Sequence, residues 1–139
     1  MKKTILALGI MLITLTGCKT MKSGVSKEAL TASKWELTSI KGEAPKAEDY
    51  PRGIPDAAFT ADNRVAGKNG CNQFSGPFTL DDKGGLTFGN MMSTKMFCEG
   101  SGEGQFMKTL GNVTSAKITD GKLILFNGSE ELMVFVAKK

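Results

Sequence analysis

Short apolar stretches separated by turn-forming residues predict a mostly β domain, built as an antiparallel meander with one helix. Three observations carry this expectation. Apolar and polar side chains alternate in runs of strand length, hairpin dipeptides separate the last runs, and one stretch alone has convincing helical spacing.

Taken in order, Trp35, Leu37 and more weakly Ser39 alternate with Glu36, Thr38 and Ile40, which predicts a first strand. Gly42 to Pro55 holds three prolines and several charges, so a surface loop is expected there. Ala57–Thr60 and Arg64–Lys68 flank the turn-forming Ala61-Asp62-Asn63. Gln73 to Leu80 places Phe74 and Phe78 on one side, and Asp81-Asp82-Lys83-Gly84-Gly85 turns the chain into Leu86-Thr87-Phe88. Between Glu103 and Asn112, Phe106, Met107, Leu110 and Val113 recur at helical spacing behind an acid in the first turn, which predicts a helix whose apolar side packs on the sheet. Thr114–Thr119 and Lys122–Phe126 are joined by Asp120-Gly121, and Asn127-Gly128 leads to Leu132–Val136. Both dipeptides accept positive φ and signal hairpins.

The amino-terminal segment has a different character. Lys2 and Lys3 precede an uncharged apolar run from Ile5 to Ile13, the order an export signal requires. The run is too short to stay in a bilayer, which takes about 20 apolar residues to cross. Leu15-Thr16-Gly17-Cys18 resembles a lipobox, the alternative being an ordinary signal that happens to contain a cysteine. The expected organisation is a lipoprotein signal peptide at 1–17, a lipidated tether at 18–30 and a domain at 31–139. Two or more acyl chains on Cys18 would make attachment stable, at about 0.8 kcal/mol per buried methylene. Lys19 in place of Asp after the cysteine points to the outer membrane in a Gram-negative host. Lys19 to Leu30, polar and without clear pattern, reads as coil reaching roughly 20 Å.

Removing the signal leaves 16 basic against 14 acidic side chains. So small an excess argues against a nucleic-acid partner, and the basic residues of the tether (Lys19, Lys22, Lys27) read as a solvated linker more than as a head-group contact. The chain contains no histidine, which removes the commonest general base near neutral pH and the commonest zinc ligand. Serine, cysteine and metal hydrolases of the usual kinds fit poorly. With Cys18 assigned to lipid, Cys71 and Cys98 remain as an even pair in an oxidising compartment, and a disulfide is the natural reading. Two buried thiols or a redox pair are the rivals, the latter lacking Cys-x-x-Cys spacing.

Gly67-Lys68-Asn69-Gly70-Cys71-Asn72-Gln73-Phe74-Ser75-Gly76 resembles the META domain, whose bacterial members include HslJ-like heat-shock lipoproteins. Trp35-x-Leu37 is similar to that family's opening strand, Phe59 with Arg64 and Gly67 to the approach to its central motif, and Thr94-x-Met96-x-Cys98 to its T-x-M-x-C segment. Phe78 stands where tyrosine is common, Val65-Ala66 replaces a more polar pair, and Pro77 is unusual in a strand and suggests an edge or bulge. The resemblance implies an α+β fold, a curved antiparallel sheet in a partly open, barrel-like meander packed around one main helix. It also implies an association with the cell envelope and with stress or antibiotic tolerance, and it implies no catalytic residues. Trp35, Gly67, Gly70, Asn72, Gly76, Thr94 and Met96 are then structural motif positions.

Three chemical readings compete with that architecture. Gly70-Cys71-Asn72 could be a nucleophile motif, but no histidine can act as its base, and a tight turn in which Gly70 permits close backbone approach and Asn72 bonds nearby main chain suits the residues better. Met91, Met92, Met96 and Cys98 form a sulfur-rich set that could attract Cu(I), although methionine more often fills gaps in cores. Phe59, Phe74, Phe78, Phe88, Phe106, Phe126 and Phe135 could line an acyl-chain cavity or fill the core. The leading expectation is a non-enzymatic envelope module with no cofactor beyond the lipid on Cys18. Its expected partners are the membrane, through the lipid anchor, and envelope proteins, with no small-molecule ligand named and no nucleic acid. A carrier of lipid or another hydrophobic ligand is the alternative.

Overall fold

The structure, a computed structural model, describes residues 24–138. The signal segment and Cys18 lie outside the described residues. Among these, no helix is long and apolar enough to cross a membrane.

The elements run α1 (Lys27–Thr31), β1 (Lys34–Ile40), β2 (Asp56–Phe59), β3 (Arg64–Lys68), β4 (Gln73–Leu80), β5 (Leu86–Phe88), β6 (Met92–Ser93), α2 (Gly102–Leu110), β7 (Ser115–Thr119), β8 (Lys122–Asn127) and β9 (Glu130–Lys138). All strand pairs are antiparallel, in the order β5-β4-β3-β2-β1-β9-β8-β7, with β6 added to β4. Two consecutive meanders are thus joined by pairing the first strand with the last. The sheet curls into a half-barrel until its end strands touch: Leu86 N–H donates to Thr114 C=O (3.1 Å) and Ala116 N–H to Gly84 C=O (2.9 Å). The α+β architecture, a curved sheet around one main helix, is the one expected.

The interior is filled by the inward side of each strand and one side of α2. Phe106 of α2 lies 5.5 Å from the ring of Phe74 and 6.4 Å from that of Phe135, bridging β4 to β9. Phe59 and Phe78 meet edge to face at 5.2 Å. Phe59, Phe74, Phe78, Phe106 and Phe135 are all buried, so these rings pack on one another as core, a geometry that favours aromatic pairs.

Three details depart from expectation, while Pro77 sits at an edge as its residue type suggested. The segment read as tether up to Leu30 is partly domain: Val25 and Leu30 are buried, and α1 is capped by Ser26, whose Oγ accepts from Ala29 N–H (3.2 Å). Leu30 is drawn in because its carbonyl accepts from Trp35 Nε1–H at 2.8 Å. One turn of helix is too short for a periodic pattern to show. In β1, a register shift between Leu37 and Ser39 breaks the alternation, so Ile40 faces inward and Ser39 does not. A bulge inserts one residue and so exchanges the faces beyond it. Pro77 lies within an inner strand, yet at a local edge: β4 pairs β6 through Phe74 and Ser75, and β5 from Phe78 onward. Its missing donor falls in that gap. Finally, Tyr50, in the loop expected at Gly42–Pro55, is buried.

Candidate functional site

At the end of the half-barrel where β3 hands over to β4, Asn69-Gly70-Cys71-Asn72 makes a tight turn. Gly70 has φ +97°, and a Cβ there would lie 2.3 Å from the Tyr50 ring, so both conformation and space require glycine. Asn69 stabilises the turn from within: its Oδ1 accepts from Cys71 N–H (3.2 Å) and Asn72 N–H (2.7 Å).

Asn72 holds a second segment 24 residues away. Its Oδ1 accepts from Met96 N–H (2.7 Å) and Thr94 Oγ1–H (2.8 Å), while its Nδ2 donates to Met96 C=O (3.0 Å). Gln73 N–H donates to Thr94 Oγ1 (3.1 Å), and Thr94 N–H to Gln73 C=O (3.0 Å). Cys71 and Cys98 are joined as a disulfide with Cα atoms 5.9 Å apart. Residues 92–98 thus form a strap, bonded at Ser75 and Phe74 through β6, at Asn72 through its amide, and at Cys71 through sulfur.

Glu103, in the first turn of α2, closes the network. Its Oε1 accepts from Asn69 Nδ2 (2.9 Å) and Asn72 Nδ2 (2.9 Å), and Oε2 from Asn72 Nδ2 (3.2 Å). Asn69 and Asn72 are both buried, and buried amides left without partners would cost about 1–3 kcal/mol each. The carboxylate satisfies amide hydrogens that the turn and strap cannot. Gly102 admits Tyr50, whose Cε1 would be 2.4 Å from a Cβ at that position. The Tyr50 hydroxyl is buried without a hydrogen-bond partner. Burial, followed by the charge of Asp49, raises its pKa above the ordinary 10.0.

Of the residues singled out by sequence, Gly70, Cys71, Asn72, Thr94, Met96 and Cys98 come together here. Trp35, Gly67 and Gly76 serve the sheet: a Cβ on Gly67 would lie 1.9 Å from Asp56 O, and one on Gly76 2.4 Å from Met91 Sδ. Asn72 does bond main chain, but on the distant strap rather than nearby. Cys71, tied to Cys98, offers no free thiol for a nucleophile. The same bond takes Cys98 from the sulfur-rich set, while Met91 packs on the core and Met92 and Met96 face solvent. No group of three or more His, Cys, Asp or Glu suited to a metal ion occurs among the described residues.

Sequence reasoning missed the roles of Asn69, Tyr50 and Glu103 and the exposure of Phe97. The Asn-x-x-Asn spacing around Gly70 was a usable signal for Asn69. Glu103 read only as an acid complementing a helix terminus.

What the strap displays differs from what it is fastened with. Phe97 is 90% exposed, Met92 67% and Met96 46%, the large apolar residues most open to water among those described. Beside them, on the outside of the sheet, lies an open trough of about 590 Å³ bordered by Lys34, Lys68, Gln73, Met92 and Thr94.

A curled antiparallel half-barrel, wrapped on one main helix and clasped by an asparagine turn and a disulfide, defines a small α+β domain. The META domain profile matches residues 28–139, and the chain belongs to the META domain family. It is similar to a Burkholderia xenovorans protein solved by NMR, at 22% identity and TM-score 0.64 over 81% of this chain and 86% of that one. A second NMR structure aligns at 21% identity and TM-score 0.64, over 81% and 95% of the two chains. The crystal structure of a DUF4847 family protein from Bacteroides vulgatus aligns at 20% identity and TM-score 0.61, over 81% and 96%. At these identities the likeness shows a shared fold. No curated protein matches the chain.

Proposed function

We propose that this is an envelope lipoprotein, held in the outer membrane of a Gram-negative cell by lipid on Cys18. Its META domain acts without catalysis, supporting envelope integrity under heat or antibiotic stress by contact. The observation that carries this reading is the 90% exposure of Phe97 on a strap fixed by a disulfide and an amide network. A large apolar ring left in water, on backbone tied on either side at Met96 and Cys98, is typical of a contact surface. The engaged Cys71, the absence of histidine from the chain and the saturated asparagine amides support a structural motif over a reactive one. The core phenylalanines in ring contact favour a filled interior over an acyl-chain carrier.

The test is made in cells lacking the gene and carrying plasmid copies. The wild-type chain takes up labelled palmitate and fractionates with the outer membrane, and Cys18→Ser does neither. Phe97→Ser keeps both label and location yet leaves the envelope as permeable to dye after heat as in cells with no copy. Full protection by Phe97→Ser, or an unlabelled wild-type chain, would contradict the reading.

A further inference from the structure

The surface around the strap has a chemistry of its own. In register across five strands, Lys34, Ala58, Ala66, Ser75 and Met92 form one outward row, about 19 Å long at 4.8 Å per strand. Small side chains in its middle leave the trough of about 590 Å³. The carboxylates bordering this surface are already engaged: Asp56 with Lys34 at 2.8 Å and with Lys68 N–H at 3.1 Å, and Glu103 with the asparagines. Lys68, Arg52 and Lys95 form no ion pair among the described residues. The trough continues past Lys68 to Arg52, and past Thr94 to Lys95 and Phe97. It is therefore elongated across the strands, bordered by cations, supplied with amide and hydroxyl groups, and flanked at the strap by an exposed ring.

Its position in the molecule narrows the occupant. Gly24 packs on Lys83 and Gly84, beyond the far end of β4, while the strap bonds to Asn72 and Gln73 at the near end. β4 spans eight residues, about 25 Å. A lipid on Cys18 would thus hold the opposite pole, with Cys18 to Ser23 reaching about 20 Å at most.

We propose that this surface binds the cell-wall polymer, a linear glycan carrying short peptides rich in carboxylates. Carboxylates meet Lys68, Arg52 and Lys95, the glycan lies along the trough, and a sugar ring rests its C–H face on Phe97. The inference rests on the anchored reading above and names the partner of that contact surface. Cells whose chain is correctly acylated and protective but whose domain ignores wall polymer would overturn this inference and leave that reading intact.

The experiment uses the chain from Lys19 onward, which contains every core residue described. It is mixed with purified peptidoglycan sacculi, or with vesicles of anionic phospholipid, and sedimented. The wild-type chain is expected to pellet with sacculi, less so as salt rises. Phe97→Ser and Lys68→Glu should weaken this at least 10-fold with unchanged melting temperature, and Lys117→Glu, on β7, should not. No pelleting with sacculi, equal pelleting by the Phe97 and Lys68 variants, or stronger pelleting with vesicles would overturn the proposal.

Discussion

Asn72 touches more of the site than any other side chain in it. Its amide satisfies Met96 at both N–H and C=O, takes the Thr94 hydroxyl and donates to Glu103. Truncation would strand these partners together, so Asn72→Ala is expected to lower unfolding free energy by about 2–4 kcal/mol in urea titration. Tyr50 presents the opposite case, a buried hydroxyl with no partner. Tyr50→Phe removes that burden and should stabilise the domain by about 1 kcal/mol at neutral pH. The sign with pH follows from the raised phenol pKa. The folded state favours the neutral form, so this contribution is whole below pH 10 and is lost as pH climbs through the raised value. Tyr50→Phe should therefore widen its advantage between pH 9 and 11 in parallel melts; an advantage that narrows there would contradict the assignment. At this scale the sequence named most of the motif residues but not how they join, because Asn72 and Glu103 are separated by 31 positions. No local pattern reports a contact across that distance.

Among the elements, the strap departs most from regular structure. It has two residues of strand and relies on side-chain bonds and a disulfide for the rest. Cys71 and Cys98 close a separation of 27 residues, worth about 3.5 kcal/mol in the chain-entropy account. Replacing both by serine should cost roughly that amount in denaturant titration and add nothing further under reducing conditions. An equal loss in the wild-type chain on reduction is the matching expectation. The regular strands were legible because their alternation and turns are local: β4 and the Asp120-Gly121 hairpin fall where the residues place them. The bulge in β1, the two-residue β6 and the single turn of α1 were not, since each is decided by what it packs against.

For the whole molecule, pairing β1 with β9 joins two meanders, and contact between β5 and β7 brings the sheet's ends together. The curvature gives the domain two distinct poles, one where Gly24 leaves and one where the strap lies. The first depends on Leu30, which is fully buried beneath Trp35. Leu30→Ala should destabilise the entire fold by about 2–5 kcal/mol, read as a single cooperative transition, which places α1 within the domain, ahead of the start expected at residue 31 and in keeping with a family match that begins at residue 28. Composition and motif were enough to reach the family, but the arrangement of poles needed the strand order, which no single segment encodes.

The strap's rigidity is the claim on which the contact surface depends, and amide hydrogen exchange measures it directly. The Thr94 and Met96 amides, bonded to Gln73 and Asn72, should exchange nearly as slowly as those of β4 in the wild-type chain. In Asn72→Ala they should become fast while β1 and β9 stay protected. Rapid exchange at Met96 in the wild-type chain, at the rate of an unstructured peptide, would contradict the account.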